Sequence, residues 1–486
     1  MNKGFEGVWH AVVEVVVILA QGGYEDMYDL INLPLFFIQI LIVLNAMRNL
    51  LKKILDFGSI FELLYGIWYI PIIYDMLFGR RMFGYAYESV TKNYSRYFIY
   101  DTVAITKFNL ITTLIMVAFA LGYSSYRDSK TVRFEYRIDR PINKYKYYFA
   151  QSVLFSFWAV LEIRGFFKYG GSIAGFFAAT KKDMYGSEIV EILIVKIPLL
   201  VFANYFYFNA SIRRKKIGII YWILVLFPAI QTHQRREMIA NFLFAAIVYF
   251  SYYATTKNVS TIDSQILNRR MKKYMVIVFF AVVCMVPLFW FLRVHDNQVI
   301  NKGVTEVKYT RTFLEVLLFG GGATGFPTLI VFDVFRMEHG VNFFFHNILF
   351  LLQSFIPRRL FPGKTSPINL IIRDMLGINA NLSSFYINEL YFTFGLFSIL
   401  ISFLIGRVFS KLYNRYTSSL MFDDKLLMAL FLANIVNLFK NGLVSFLIHT
   451  VFIVILFYAD LSYLGISEKI RILKGKVIIK RRMRWR

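Results

Sequence analysis

Long apolar stretches recur along the chain and are separated by short polar segments. A run of roughly 17–25 apolar residues is long enough to cross a bilayer as a helix, and the pattern predicts about twelve such spans. The predicted spans, of which the first and eleventh are short, are 8–21, 29–47, 55–78, 98–122, 147–166, 187–209, 217–232, 238–254, 274–294, 386–406, 426–440 and 445–464. The predicted fold is therefore an all-α polytopic integral membrane protein, with one transmembrane domain over 1–486.

One long segment, 295–385, interrupts this pattern and is predicted to be a large, partly helical outer loop. Long connections in compact structures are mostly functional. Within the loop, "VNFFFHNILFLLQSF" at 341–355 has the pattern of an amphipathic helix that lies on or dips into the outer leaflet. Alternatively, 316–335 and 341–356 form one further pair of spans, which leaves the orientation of the other spans unchanged.

The distribution of Lys and Arg predicts which side of the membrane each loop faces. Cytoplasmic loops carry an excess of Lys and Arg, and with twelve alternating spans the densest basic segments all fall on one side, together with both termini. These segments are 123–146, 213–216, 269–273, 407–415 and the basic tail 467–486. We therefore expect both termini in the cytoplasm.

Composition supports a membrane protein and narrows the choice of partners. Hydrophobic residues make up 57% of the chain, against about 45–50% in soluble domains. The net charge of +25 fits inner loops facing anionic membrane lipids, so nucleic acid is not expected as a partner. The single cysteine, Cys284, excludes an internal disulfide and cysteine-based metal sites.

Positive charge also occurs on the predicted outer side, where it opposes the usual insertion bias. The stretch "QSFIPRRLFPGKTSP" at 353–367 contains Arg358, Arg359 and Lys364 between prolines that restrict the backbone. An arginine fork binds phosphate through two charge-assisted hydrogen bonds. This segment is therefore a candidate site for a lipid-linked pyrophosphate.

Further cations on the predicted outer side are candidates for binding the same lipid-linked pyrophosphate. They are Arg164, Arg235, Arg236, Arg373 and Lys440. The Arg235–Arg236 pair lies in "PAIQTHQRREMIANFLF" at 228–244, where a turn of a few residues joins two spans and would hold the cations in place. The alternative for any single cation is solvated surface charge or contact with ordinary phospholipid phosphates.

Transfer of a group from such a pyrophosphate to a hydroxyl would also need a base that removes the proton of that hydroxyl. Glu389 is the first candidate for this base because it lies at the start of the predicted span 386–406, beside the loop. His346 in 341–355 is the second candidate. Glu389 could instead hydrogen-bond Tyr391 or pair with an arginine and only hold the loop in place, and His346 could be structural. Tyr391 is a candidate for stacking on a sugar ring.

The segment from Phe355 through Tyr413 resembles the Wzy-type polymerases, which join the repeat units of O-antigen, capsule or exopolysaccharide. The matching elements are Ile356-Pro357-Arg358, Pro362-Gly363-Lys364, Glu389-Leu390-Tyr391 followed by Phe394-Gly395, and Gly406-Arg407. The Arg235–Arg236 hairpin and the late outer loop also match that family's architecture. Lys440-Asn441-Gly442 departs from the family pattern, because relatives often carry an arginine there.

The resemblance implies a metal-independent membrane glycosyltransferase without a cofactor. Such enzymes act at the outer face of the bacterial inner membrane on undecaprenyl-pyrophosphate-linked oligosaccharides. They transfer the growing glycan from its lipid pyrophosphate to the distal sugar of an incoming lipid-linked unit, and a polysaccharide chain-length regulator is a candidate partner. An O-antigen ligase and, as a non-enzyme, a lipid-linked oligosaccharide flippase remain alternatives.

Overall fold

The computed structural model describes ten segments and four single positions of the chain. They are 27–52, 56–78, 102–125, 133–138, 142–168, 188–212, 218–231, 235–257, 343–354 and 386–465, with positions 356, 363, 365 and 371. The predicted spans 8–21 and 274–294, most of the loop 295–385 and the tail 467–486 lie outside these residues.

Every regular element in these segments is helical. The helices are α1 (Met27–Lys52), α2 (Phe57–Phe78), α3 (Thr102–Ser124), α4 (Lys144–Lys168), α5 (Glu188–Ser211), α6 (Ile219–Gln231), α7 (Arg235–Lys257), α8 (Phe343–Ser354), α9 (Tyr386–Phe394), α10 (Ser398–Ser418) and α11 (Phe422–Leu464). A short 3-10 turn, Gly395–Phe397, joins α9 to α10. The helix expected within 341–355 is confirmed as α8.

Six helical stretches in the described part of the chain are long and apolar enough to cross a membrane. They are Ile31–Leu50, Thr106–Ser124, Ile192–Ser211, Ile239–Lys257, Tyr386–Ser418 and Gly442–Leu464. A helix suits this environment because it satisfies the hydrogen bonds of its backbone internally. The described residues therefore confirm an all-helical fold with apolar helices of membrane-spanning length. The count of about twelve spans stays a prediction.

The chain divides into two compact units. The first comprises Met1–Arg127, Thr310–Lys411 and Asn437–Phe446, and the second comprises Asp128–Tyr309, Leu412–Val436 and Leu447–Arg486.

The core of the first unit is aromatic. The ring of Phe61 in α2 stacks on Phe119 of α3 at 4.2 Å between centroids, and it meets Tyr386 of α9 edge-on at 4.9 Å. Phe439 of α11 lies 5.2 Å from the same ring. These side chains are almost completely buried, and aromatic pairs in such geometries add about 0.5–1.5 kcal/mol beyond the area they bury. Phe61 therefore links three other helices.

Two glycines allow α3 and α10 to approach closely in this unit. A Cβ atom added at Gly122 would lie 2.0 Å from the carbonyl oxygen of Phe403, and one added at Gly406 would lie 2.3 Å from the carbonyl oxygen of Phe119. Small residues at a helix crossing are a common way to pack helices in membranes, where apolar side chains have no preference for protein over lipid. The backbones therefore touch where the two glycines meet.

The second unit contains α4, α5, α6 and α7. Trp158 of α4 packs against Ile197 and Val201 of α5 in a buried apolar cluster, and Tyr147 of α4 stacks on Phe208 of α5 with ring centroids 4.0 Å apart. The opposite face of α4 leaves large apolar side chains exposed. They are Tyr145, Tyr148, Phe149, Val153, Phe155, Phe157, Val160, Ile163 and Phe167. In a membrane protein, such an exposed apolar face suits contact with lipid chains.

Lys425 joins two separate segments of the second unit. This buried side chain donates hydrogen bonds to the carbonyl oxygens of Arg133, Tyr416 and Thr417, so it ties the segment 133–138 to the turn between α10 and α11. Burial lowers the pKa of Lys425 to about 8. The carbonyl acceptors compensate for part of the solvation that the ammonium group loses.

Candidate functional site

The helix α9 places Glu389 in the interior of the first unit. All residues from Tyr386 through Thr393 are buried, and Glu389 exposes only 4% of its surface. A carboxylate at this depth needs hydrogen-bond donors, because burial of an unpaired charge is strongly unfavourable.

A donor comes from a break in α11. Gly442 has φ 86° and ψ 175°, a conformation that glycine adopts readily because it has no Cβ. It separates residues 422–441 from a second helical stretch, 443–464. The amide N–H of Val444 donates to Oε1 of Glu389 at 3.0 Å.

Glu389 therefore acts as a helix cap supplied by another part of the chain. The first amides of a helix have no partner inside the helix, and a negative charge there interacts favourably with the helix dipole. The partner seen here is the amide of Val444 in α11, in place of the predicted hydrogen bond to Tyr391 or pairing with an arginine. The alternative role, holding a segment in place, fits this geometry, and the role as a base stays a prediction.

Two further side chains of α9 make contacts beside Glu389. Asn388 accepts a hydrogen bond from the hydroxyl of Tyr69 at 3.1 Å. Tyr391 is only 7% exposed, and the Nζ of Lys107 lies 5.9 Å from its ring centroid, within the range of a cation–π interaction. Little of the Tyr391 ring is accessible to a sugar in this conformation. Lys107, which lies within the predicted span 98–122, is exposed in the second turn of α3.

Helix α8 packs against α9 and holds His346 near it. Asn347 donates a hydrogen bond to Thr393, and the rings of Phe344 and Phe394 lie 5.7 Å apart. His346 is partly exposed. At the end of α8, Oε1 of Gln353 accepts a hydrogen bond from the backbone N–H of Thr365 at 2.7 Å, so position 365 of the cationic stretch 353–367 is tied back to α8.

The side chains of five predicted phosphate-binding cations lie outside the residues that the structure describes. Arg358, Arg359, Lys364 and Arg373 lie outside the described residues. Lys440 belongs to α11 two residues before Gly442, and its side chain is also outside them. Among the residues that are described, no group of three His, Cys, Asp or Glu side chains could hold a metal ion.

The remaining predicted cations belong to the second unit. Arg164 is exposed near the end of α4. Arg235 and Arg236 were expected in a turn, but they form the start of α7. Their side chains lie outside the described residues. The predicted clamp combines cations from both units, and its assembly stays a prediction.

A buried ion pair lies directly after these arginines. Nζ of Lys196 in α5 is 3.1 Å from Oε2 of Glu237 in the first turn of α7, and the two side chains are 2% and 4% exposed. The pair fixes the start of α7 against α5. The sequence did not reveal it, since the two residues are far apart along the chain, and Glu191, five residues before Lys196, does not have the spacing of a pair on one helix face.

The sequence predicted the break at Gly442 but not the group that caps it. Lys440-Asn441-Gly442 lies between the predicted spans 426–440 and 445–464, where a glycine is a usual mark of a helix break, but nothing local pointed to Glu389 as the cap. An ionisable residue within a predicted span, such as Lys107 in 98–122, is a functional hypothesis by default, but the position of Lys107 over Tyr391 depends on how α3 and α9 pack.

Comparison with known proteins gave no relative: no family model matches the chain, and no curated protein or solved structure matches it.

Proposed function

We propose that this protein polymerises undecaprenyl-pyrophosphate-linked oligosaccharide repeat units into a surface polysaccharide. The growing glycan leaves its lipid pyrophosphate and is joined to the distal sugar of an incoming lipid-linked unit. The resemblance of the segment 355–413 to the Wzy-type polymerases suggests this activity, and the helical, apolar character of the chain agrees with an enzyme embedded in a membrane.

The observation that carries the proposal is the position of Glu389 within that segment. The acid of Glu389-Leu390-Tyr391 accepts from the amide of Val444 at the start of the half-helix 443–464, in the same unit as α8, whose Gln353 accepts from the backbone N–H of Thr365. Broken helices in membrane proteins commonly form substrate sites, because the free ends of half-helices offer polar backbone groups inside the membrane.

The proposed reaction assigns one task to each group. The bond between the anomeric carbon and the pyrophosphate oxygen breaks, and the electron pair stays on the pyrophosphate. Arg358, Arg359 and Lys364, with Arg235 and Arg236, balance this charge through charge-assisted hydrogen bonds. Arg164, Arg373 and Lys440 are secondary phosphate contacts.

The acceptor hydroxyl forms the new bond, and its proton passes to a base. Glu389 is the first candidate and His346 the second. A carboxylate has about four lone-pair sites, so the hydrogen bond from the Val444 amide leaves room for a substrate hydroxyl. Capping and proton transfer are therefore compatible in one side chain.

The proposed setting is the bacterial inner membrane, crossed by about twelve helices. Both termini lie in the cytoplasm, and the active site opens to the outer face. The partners are the lipid-linked oligosaccharides, the surrounding lipids and a chain-length regulator.

Glycan analysis of a deletion strain tests the proposal. Loss of a polymerase leaves single repeat units on the final acceptor, and this is the expected result. Unattached polymer on the lipid carrier would indicate a ligase instead, and absence of both products outside the cell would indicate a flippase.

Complementation of the same strain tests the predicted cations. Arg358→Ala and Arg235→Ala each remove a charged hydrogen-bonding group, so we expect elongation to fall by at least about tenfold at normal expression. Arg48→Ala, an exposed arginine near the predicted inner end of α1, is the control and should restore wild-type polymer. Near-normal polymer with both test variants would refute their assignment. Purified protein should elongate lipid-linked units in the presence of EDTA.

A further inference from the structure

The start of α4 carries two exposed lysines that lie over tyrosine rings of the second unit. Nζ of Lys144 is 5.8 Å from the ring centroid of Tyr148, and Nζ of Lys146 is 5.9 Å from that of Tyr463 in α11. Both distances are within the range of a cation–π interaction. In the part of the chain that the structure describes, neither lysine forms an ion pair with an acid. The aromatic rings therefore position two ammonium groups that an anion can reach.

An apolar stripe runs from Lys146 along the exposed face of α4. Phe149, Val153 and Val160 follow Lys146 at successive spacings of three, four and seven residues, which places them on one face of a helix. Each exposes at least half of its surface. The ring of Phe149 lies 6.1 Å from that of Tyr463, so the stripe begins beside the ring that holds Lys146. A cation at the end of an apolar stripe matches a molecule with an anionic head and a hydrocarbon tail.

The length of α4 places these lysines at a membrane surface. The helix contains the predicted span 147–166, and the exposed Arg164 follows Lys146 by 18 residues. This separation corresponds to about 27 Å along a helix, close to the roughly 30 Å of the hydrocarbon core. Tyrosine favours the headgroup level of a membrane, and Tyr148 and Tyr463 are both exposed beside the lysines. The lysines therefore lie at the depth of phospholipid phosphates.

Charge favours an anionic lipid over other occupants of this surface. A second copy of the chain would bring the same lysines and a net charge of +25 to the interface, and like charges oppose association. A zwitterionic headgroup carries a cation that the lysines repel. The backbone N–H of Tyr145 already donates to Oδ1 of Asn143 at 2.9 Å, so the side chains supply the donors. An ammonium group has three N–H donors and no acceptor, which suits phosphate oxygens.

We propose that the start of α4 binds an anionic phospholipid, such as phosphatidylglycerol. Lys144 and Lys146 donate to the phosphate, and one acyl chain lies along the apolar stripe that begins at Phe149. Tyr148 and Tyr463 are positioning residues that hold the two ammonium groups at the headgroup level. None of these residues belongs to the proposed polymerase site, so the inference does not depend on the proposed function.

Native mass spectrometry of the purified full chain, delipidated in a neutral detergent, tests this surface by counting bound lipids. We expect phosphatidylglycerol to bind at least about tenfold more tightly than phosphatidylcholine with the same acyl chains. Lys146→Gln should weaken phosphatidylglycerol binding about fivefold, because one basic residue near an anionic headgroup is lost. The double variant Lys144→Gln/Lys146→Gln should weaken it by at least about tenfold. Glycerol 3-phosphate, which has the anion but no acyl chain, should not displace the lipid.

Lys257 provides a matched control in the same unit. Its Nζ lies 5.5 Å from the ring centroid of Tyr253, so it has the same arrangement of a cation over a tyrosine. No residue of α7 from 239 through 256 is exposed, however, so an acyl chain has no apolar surface beside it. Lys257→Gln should therefore bind phosphatidylglycerol as the wild type does. An equal loss of binding in Lys146→Gln and Lys257→Gln would show attraction to net charge alone and overturn the proposal.

Tyr463 gives a second test that leaves both charges in place. Tyr463→Leu removes the ring over which Lys146 lies and should weaken phosphatidylglycerol binding severalfold. Tyr463→Phe keeps an aromatic ring and should bind as the wild type does. Wild-type binding by Lys146→Gln would place the lipid elsewhere and overturn the proposal. Equal binding of phosphatidylglycerol and phosphatidylcholine, or a dimer that forms without bound lipid, would also overturn it.

Discussion

Three buried charged side chains each have a partner that lies far away along the chain. Glu389 accepts from the amide of Val444, and Lys196 pairs with Glu237. Lys425 donates to backbone carbonyls that include that of Arg133. Removing one member of the Lys196–Glu237 pair leaves the other charge buried without compensation, which is strongly destabilising. These residues therefore fix the fold whatever else they do.

Two substitutions of Glu389 separate capping from catalysis. Glu389→Gln keeps an acceptor oxygen for the amide of Val444 but cannot take up a proton. We expect it to unfold near the wild-type temperature and to lose polymer elongation. Glu389→Ala removes the acceptor as well, and we expect it to lower stability by about 1–3 kcal/mol. Thermal unfolding in detergent and glycan length in the complemented deletion strain measure the two effects.

The outcome for Glu389→Gln decides the role of this residue. A stable variant with wild-type polymer length would show that Glu389 is a cap only, and the base would then have to be another group, with His346 next in order. His346→Ala, in the same assay, is the direct test of that second candidate.

At the scale of helices, two glycine features shape the first unit. Gly442 breaks α11 and creates the half-helix that Glu389 caps, while Gly122 and Gly406 bring α3 and α10 into backbone contact. Gly406 also belongs to the Gly406-Arg407 element of the resemblance to Wzy-type polymerases. The contact gives a physical reason for a glycine at this position, independent of catalysis.

Alanine at the helix crossing should be poorly tolerated. In Gly122→Ala the new methyl group would overlap the carbonyl oxygen of Phe403, so α3 and α10 must move apart. We expect Gly122→Ala and Gly406→Ala each to lose about 1–3 kcal/mol of stability, as overpacked cores do. The matched control is Gly363→Ala, where a Cβ has no atom within 4 Å. Unfolding temperatures of Gly122→Ala and Gly363→Ala that agree would contradict the close crossing.

At the scale of the whole molecule, the orientation in the membrane decides which cations can meet the substrate. The densest basic segments are predicted to face the cytoplasm, whereas the stretch 353–367 is predicted to face outward. The described helices include six that could cross a membrane, but the side on which each loop lies follows only from the charge pattern.

Labelling of single cysteines tests this orientation. With Cys284→Ser as the background, we expect a membrane-impermeant maleimide to label Ser366→Cys in intact cells. Ser129→Cys lies in the basic loop 123–146 and should react only after the membrane is opened. The two positions act as controls for each other. Labelling of both, or of neither, in intact cells would contradict the predicted topology and remove the proposed outer active site.

The sequence by itself determined that the described chain is helical and where most of these helices lie. Ten of the predicted spans coincide with helical segments, and the apolar pattern at 341–355 became α8. The reason is local: each apolar run satisfies its own backbone hydrogen bonds as a helix. The apolar pattern does not show where a helix ends, since α10, which contains most of the span predicted at 386–406, continues to Ser418 beyond the apolar run.

Only the tertiary structure decided which polar groups meet. The pairing of Glu389 with the amide of Val444 joins positions 55 residues apart, and that of Lys196 with Glu237 spans 41 residues. No periodicity encodes such contacts, because they depend on how separate helices pack. For the same reason the sequence pattern identified Glu389 as a candidate base. It could not show that the carboxylate accepts a hydrogen bond from the start of a broken helix.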